Sequence, residues 1–311
     1  MGSMPIKKTL QNDDNALIKW CHRIAVIWLV LLIGGCSQQQ PGASIDILRV
    51  GILPDQEKAA IEKKYSLLFN YITEEIKIPH KIIYVSSYQE LLNQFHEKKI
   101  DLALFGGVTF IKANQQDGAV PLVLRDVDNQ FSSIILVSSN HPAKTLNDLK
   151  GASFSFGSRL STSGHYMPRH FLNNQGIHAE EFFSEIKYSG AHDKTAFWVR
   201  DGIVDAGASS SGIIREMFRN GTLSPNETRI LWETPPFSDY VWATQKNSST
   251  HIRNLLQDAF LKLTTSNHEH KHILVAVGAN YYLPASLDDF SSLIKTINNT
   301  TLDQTGSTDA S

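Results

Sequence analysis

Residues 47–53 read Ile-Leu-Arg-Val-Gly-Ile-Leu, a short apolar run that opens the pattern deciding the fold. Apolar residues then recur at helical spacing over 61–72. A second strand-like run lies at 81–85, a short amphipathic helix at 88–96, and a third strand at 100–105. Strands and helices that alternate in this way predict a parallel α/β unit.

A second α/β unit begins at residues 152–156, and further strand-like runs lie at 186–188 and 204–208. The chain after residue 244 is mostly helical in pattern as far as residue 298. Its last residues, 300–311, are polar and are predicted to be disordered. The fold class is therefore α/β, with two α/β lobes in succession and a helical segment after them.

Composition limits the class of function. The 311 residues carry a formal net charge of −2, and 41% of them are hydrophobic. This length is typical of roughly two domains with a sizeable core. The charge balance and the lack of a basic stripe argue against a nucleic-acid partner.

The N-terminus resembles a bacterial lipoprotein leader. An apolar run at 24–33 follows basic residues and ends at Gly-Gly-Cys36. It is too short to span a bilayer comfortably, which takes about 20 residues, although a longer anchor helix extended backward stays open. We expect a signal peptide at 1–35, a lipid on Cys36 and a polar tether at 36–46. Ser37 favours the outer membrane under the usual bacterial sorting pattern.

Four polar clusters follow predicted strands. Glycines and Thr109 lie in 105–110, and 161–165 reads Ser-Thr-Ser-Gly-His before a helix. His192 opens a further helix, and Asp239 follows two prolines. Hydroxyls and free N–H groups at a helix start favour an anion. An ordinary turn or N-cap remains an equal alternative for each cluster taken singly.

Enzyme and metal patterns are weak. No nucleophile elbow, P-loop or dinucleotide fingerprint is present. A hydrolase built on Ser163, His192 and Asp239 can be imagined, but nothing in the sequence supports its geometry. The histidines at 268–272 are expected to scatter around a solvated helix, so we predict no metal and no cofactor.

The order of these elements resembles the phosphate/phosphite/phosphonate-binding proteins of ABC transporters, over about residues 48–299. The Ser-Thr-Ser-Gly element at 161–164 followed by Ser-Gly-Ala-His at 189–192 is the most specific part. The resemblance implies a type II periplasmic-binding fold whose lobes are joined by strands crossing near 135–138 and 237–242. The implied lobes are 47–137 for the first part of lobe 1, 138–237 for lobe 2 and 238–299 for the return to lobe 1.

The resemblance also implies the site. The ligand-binding residues carried over by position are Ser161, Thr162, Ser163, Gly164, His192, Asp239, Thr109, Phe110 and Tyr65. Phe110 stands where the family motif usually ends in tyrosine. The chain has Ser-Ser-Ser-Gly at 209–212 where binders of aminoalkylphosphonates place a glutamate, which argues for phosphate, phosphite or methylphosphonate.

Together these features predict a monomeric, lipid-anchored periplasmic protein that binds a small oxyanion and delivers it to an ABC permease. It would have no chemistry of its own. A sensor domain that reports the same ligand to a membrane signalling partner remains the alternative.

Overall fold

The computed structural model describes Gly2 and residues 45–304, with side chains through Ile297. The predicted signal peptide, Cys36, Ser37 and almost all of the tether lie outside the described residues, as do residues 305–311. No helix within the described ranges is both long and apolar enough to cross a membrane.

Strands and helices alternate along most of the described chain. The strands are β1 (Leu48–Ile52), β2 (His80–Ile83), β3 (Leu102–Phe105), β4 (Val120–Arg125), β5 (Ser133–Ser138), β6 (Ser153–Phe156), β7 (Glu185–Tyr188), β8 (Ala206–Ser210), β9 (Thr228–Glu233), β10 (Val241–Thr244) and β11 (Tyr282–Pro284). The helices are α1 (Lys58–Ile76), α2 (Tyr88–His96), α3 (Gly107–Asp117), α4 (Met167–Asn174), α5 (Ala179–Phe182), α6 (His192–Arg200), α7 (Ser211–Arg219), α8 (Thr250–Leu261), α9 (His268–Val277) and α10 (Ser291–Gln304).

The first sheet forms the core of lobe 1 in the order β11-β4-β10-β3-β1-β2. β1 is parallel to β2 and β3, whereas β10 is antiparallel to both β3 and β4. β3 is buried along its whole length, as expected of an apolar strand covered on both faces. The late strand β10 thus completes a sheet that the first third of the chain began.

The second sheet forms lobe 2 in the order β7-β6-β8-β5-β9. β6 is parallel to β7 and β8, and β5 is antiparallel to β8 and β9. Two sheets of mixed direction with helices packed on them confirm the predicted α/β fold class.

The connection between the lobes differs from the expected one. Residues 135–138 belong to β5, which lies inside the second sheet because β8 and β9 both pair with it. The strands cross instead at Phe131 and Phe237, where the two main chains exchange hydrogen bonds of 2.9 and 2.8 Å. The first part of lobe 1 therefore ends near residue 131 rather than at 137.

The core of lobe 1 is centred on Trp242 of β10, which is 1% exposed. Tyr65 and Phe69 of α1 meet its ring edge-on, at centroid distances of 5.8 and 5.2 Å. Phe260 of α8 packs on it at 5.7 Å. The return segment is thereby fixed to the helix that follows the first strand.

The C-terminal segment is helical further than expected. α10 runs to Gln304, so residues 300–304, predicted to be disordered, are in a helix. Phe290 and Leu293 are buried at its start, and Phe290 contacts Phe110 of α3. These apolar contacts hold the start of α10 against lobe 1 and so favour the helix that begins at residue 291.

Candidate oxyanion-binding site

Four chain segments begin or turn at one point between the lobes. α3 starts at Gly107 after β3, a turn of π-helix starts at Thr162 after β6, and α6 starts at His192 after β7. Asp239 precedes β10. Ligands of open α/β sheets bind beyond the carboxyl ends of strands, which is where these segments lie.

The hydroxyls of the Ser-Thr-Ser element have three different roles. Ser161 is the N-cap of the π turn, and its Oγ accepts from the Gly164 N–H at 2.9 Å. Thr162 Oγ1 accepts from the Val108 N–H of lobe 1 at 3.0 Å. Ser163 Oγ is buried and has no hydrogen-bond partner among the described residues. Ser163 thus differs from the other two in having no partner for its hydroxyl in the described part of the chain.

His192 is a neutral hydrogen-bond donor. Its Nδ1 accepts from the Ser210 N–H at 3.1 Å, so the ring proton is on Nε2. Burial, together with the positive charge of Lys64, lowers the pKa of His192 to about 3. Nε2 is buried and finds no partner in the part of the chain that the structure describes.

Asp239 is a buried carboxyl close to these donors. Its Oδ1 accepts from the Gly107 N–H at 2.9 Å. Burial raises its pKa to about 6, and hydrogen bonding by Gly107 and the neighbouring Thr162 only partly opposes the rise. The Ser163 hydroxyl lies near enough to lower this pKa as well, although it lacks good hydrogen-bond geometry to the carboxyl group. The carboxyl group of Asp239 therefore gains or loses its proton near pH 6, and it can hydrogen-bond to a ligand oxygen that carries a proton.

The sequence analysis missed three residues of the same centre. The Tyr240 hydroxyl donates to Asp55 Oδ2 at 2.8 Å, and Tyr88 is buried beside Ser161. Burial raises the pKa of Asp55, and the nearby Asp55 charge adds to the raised pKa values of Tyr88 and Tyr240. Asp55 lies three residues after the end of β1, so its position beyond a strand end was a signal that could have identified it.

The two lobes are in contact around the site. Besides the bond from Val108 to Thr162, the His192 N–H donates to the Asp55 carbonyl oxygen at 2.9 Å. The Glu57 N–H donates to Asp193 Oδ2 at 2.7 Å. Because these bonds join lobe 1 to lobe 2, the structure represents a closed arrangement of the cleft.

Comparison with known proteins identifies the family. The profile of the ABC transporter phosphonate periplasmic substrate-binding proteins matches residues 50–290. The chain belongs to this family. Its members are transporter binding proteins, a class distinct from enzymes, and they work in the periplasm with an ABC transporter.

Individual relatives of this binding protein agree with the assignment. A probable ABC transporter phosphite-binding protein, PhnD1 of Prochlorococcus marinus, is 28% identical over 79% of this chain and 87% of its own. The structure of PhnD1 with methylphosphonate has a TM-score of 0.78 at 27% identity, covering 83% of this chain and 99% of that one. A binding component of a Pseudomonas aeruginosa phosphonate transporter shares the fold, with a TM-score of 0.75 at 15% identity over 81% and 86% of the two chains.

Gly164 is required by the close packing of this binding protein's site. A Cβ at this position would lie 2.9 Å from Ser161 Oγ and 3.1 Å from His192 Cε1. Contacts below about 3.0 Å force a neighbour to move. The glycine therefore lets the cap hydroxyl and the imidazole approach each other.

Three other expected site residues have different contacts. Thr109 Oγ1 donates to the Gly106 carbonyl oxygen at 2.9 Å, and Phe110 packs on Phe290 in the core. Tyr65 packs on Trp242 and also lines a neighbouring cavity. Thr109 and Phe110 thus support the start of α3 rather than presenting a free group to the polar centre.

The imagined catalytic triad does not have the required arrangement. A triad places the carboxylate on His Nδ1. In this protein the Ser210 N–H occupies Nδ1, and Asp239 instead accepts from Gly107. The geometry fits a donor histidine better than a general base.

The histidines of α9 are less scattered than expected. His268 and His272 share a face, with their Nε2 atoms 3.3 Å apart, while His270 packs on Tyr71. Within the described ranges, no group of three or more His, Cys, Asp or Glu residues is placed to hold a metal ion.

Proposed function

We propose that this protein binds a small phosphorus oxyanion (phosphate, phosphite or a simple phosphonate) between its lobes and delivers it to an ABC permease. The observation that carries the proposal is a pair of buried groups, Ser163 Oγ and His192 Nε2, that have no hydrogen-bond partner within the described ranges. Leaving a buried donor unpaired costs about 1–3 kcal/mol. A bound oxyanion that accepts from both donors would remove that cost.

The surrounding groups suit an oxyanion that carries a proton. Asp239, with a pKa raised to about 6, accepts from a P–OH when ionised and donates to a P–O⁻ when protonated. The dipole at the start of the π turn stabilises the negative charge of the ligand. The relatives named for phosphite and solved with methylphosphonate support the same ligand class.

The finer predictions on anchoring and activity belong to this proposal. The protein would be a monomer and would catalyse no reaction. A lipid on Cys36 would anchor it to the outer membrane, the membrane that Ser37 favours. Radiolabelled palmitate should be incorporated into the wild-type protein and not into Cys36→Ala. Incorporation that persists in the variant would contradict the lipid site.

Calorimetric titration with phosphate, phosphite, methylphosphonate, sulfate and 2-aminoethylphosphonate tests the ligand class. We expect the phosphorus oxyanions without an amine to bind most tightly. The double variant Ser163→Ala/His192→Gln should lose about 100-fold or more in affinity, since each hydrogen bond to a charged group contributes about 1.5–3 kcal/mol.

Thr228→Val is the matched control. Thr228 Oγ1 at the start of β9 is also buried without a partner among the described residues, and its strand pairs there with Ser138, away from His192. Its removal should leave the affinity unchanged. Wild-type affinity in the double variant, or tight binding of 2-aminoethylphosphonate alone, would refute the proposal.

A further inference from the structure

A cavity of about 240 Å³ adjoins the oxyanion site. Asp55 and Tyr240 form part of its wall, as does Ser210, whose N–H holds the His192 ring. Asp55 in turn accepts from the His192 main chain. The cavity therefore begins where the proposed binding site ends, and it offers space for a substituent on phosphorus larger than a methyl group.

Lys64 of α1 lines this cavity together with the carboxylates of Asp55 and Glu216, whose charges do not offset the burial of its ammonium. Its side chain is 12% exposed, and the nearest carboxylate oxygen, in Glu216, is 3.9 Å away and 40% exposed. No hydrogen bond of its Nζ is present among the described residues. Burial of the ammonium lowers the pKa of Lys64. A nearly buried ammonium is costly unless a strong acceptor meets it.

The other charged groups of the wall are paired, hydrogen-bonded or exposed. Arg125 forms a two-pronged pair with Asp128, with its Nη2 2.6 Å from Oδ1 and its Nε 3.0 Å from Oδ2. Asp55 accepts from Tyr240, Arg215 pairs with Glu233, and Arg219 is exposed. Lys64 is therefore the nearly buried cation of this wall that lacks a hydrogen-bonded carboxylate among the described residues.

We propose that the cavity is a subsite for a second acidic group on the ligand, with Lys64 as the residue that determines specificity. The ligand class is then a phosphonate that carries a carboxylate on a short tail. This inference rests on the proposed function, because the phosphonate group must occupy the Ser163 and His192 site for the tail to reach Lys64.

The same wall disfavours an amine. A tail ammonium would lie near the positive charges of Lys64 and Arg125, and like charges repel each other more strongly close to a protein than in bulk water. The two carboxylates of the wall, Asp55 and Glu216, already interact with the Tyr240 hydroxyl and with Lys64. A tail carboxylate, in contrast, gains a charge-assisted hydrogen bond from Lys64.

The test compares phosphonoacetate with methylphosphonate by calorimetric titration of the full-length protein. We expect the wild-type protein to bind phosphonoacetate at least about tenfold more tightly, the value of one such bond. Lys64→Met should abolish this preference and leave the affinity for methylphosphonate within about threefold. Lys63→Met removes an exposed charge from the neighbouring position and should change neither affinity.

Each other result has a distinct meaning. A wild-type protein that binds methylphosphonate but prefers it to phosphonoacetate overturns the subsite and leaves the proposed function intact. Equal losses for both ligands in Lys64→Met assign Lys64 to the phosphonate group itself and also overturn the subsite. If no phosphorus oxyanion binds the wild-type protein, the proposed function fails as well. Lys64→Gln replaces Lys64→Met if the latter does not fold.

Discussion

Replacing His192 with glutamine should make the protein less sensitive to acid. The imidazole of His192 is 1% exposed, and its pKa falls to about 3 because burial destabilises the charged ring. In the unfolded chain the ring titrates near its ordinary value of 6.5. The unfolded chain therefore binds a proton that the folded protein rejects between these two values, and stability is lost as the pH falls below 6.5.

The size of the effect follows from the two pKa values. Each pH unit between them costs about 1.4 kcal/mol. From pH 7.5 to pH 5.0 the unfolded chain takes up the proton over about 1.5 of these units, so His192 contributes a loss of about 2 kcal/mol. His165, also buried with a pKa near 4, adds a similar loss that the variant retains.

Urea unfolding at pH 7.5 and pH 5.0 measures this difference. The wild-type protein should lose about 2 kcal/mol more than His192→Gln over this range. His251→Gln, a replacement at an exposed position of α8, should behave as the wild type. An NMR spectrum should also show the His192 proton on Nε2 at pH 5. Equal losses in the wild type and in His192→Gln, or a charged His192 ring at pH 5, would refute the reasoning.

Two further variants test the neighbouring groups. Because burial raises the pKa of Asp239 to about 6, the folded protein binds a proton that the unfolded chain releases, and stability is lost as the pH rises through 6. Asp239→Asn keeps an oxygen acceptor for the Gly107 N–H. In urea unfolding, this variant should lose about 1 kcal/mol less stability between pH 5.0 and 7.5 than the wild type. An equal loss in the two proteins would exclude the raised pKa. Gly164→Ala should lower the free energy of unfolding by about 1–3 kcal/mol and weaken methylphosphonate binding, since its Cβ would meet Ser161 Oγ at 2.9 Å. Wild-type affinity in calorimetry would show that the turn tolerates the methyl group.

The fold class was accessible from the sequence because helices and strands differ in their apolar period. The spacing of Ile61, Tyr65, Leu68 and Ile72 marks the buried face of α1. The polar clusters at strand ends likewise pointed to Ser163 and His192, since parallel strands bring their carboxyl ends to one edge. Asp239 comes to the same edge because it precedes β10, which is antiparallel to β3. The sequence analysis placed the first crossing between the lobes at 135–138 instead of at Phe131. An apolar run such as β5 has the same pattern whether it lies in a hinge or inside a sheet.

The sequence by itself determined most of the helices and apolar strands, and which strand ends carry polar groups, because those properties depend on near neighbours in the chain. It did not predict β4 or the continuation of α10 to Gln304. Only the tertiary structure decided how the three hydroxyls of 161–163 divide their roles and which nitrogen of His192 carries the proton. These depend on partners far away, such as the Val108 N–H for Thr162 and the Ser210 N–H for His192. The pairing of Tyr240 with Asp55 joins residues 185 positions apart, and no local pattern encodes a contact of that kind.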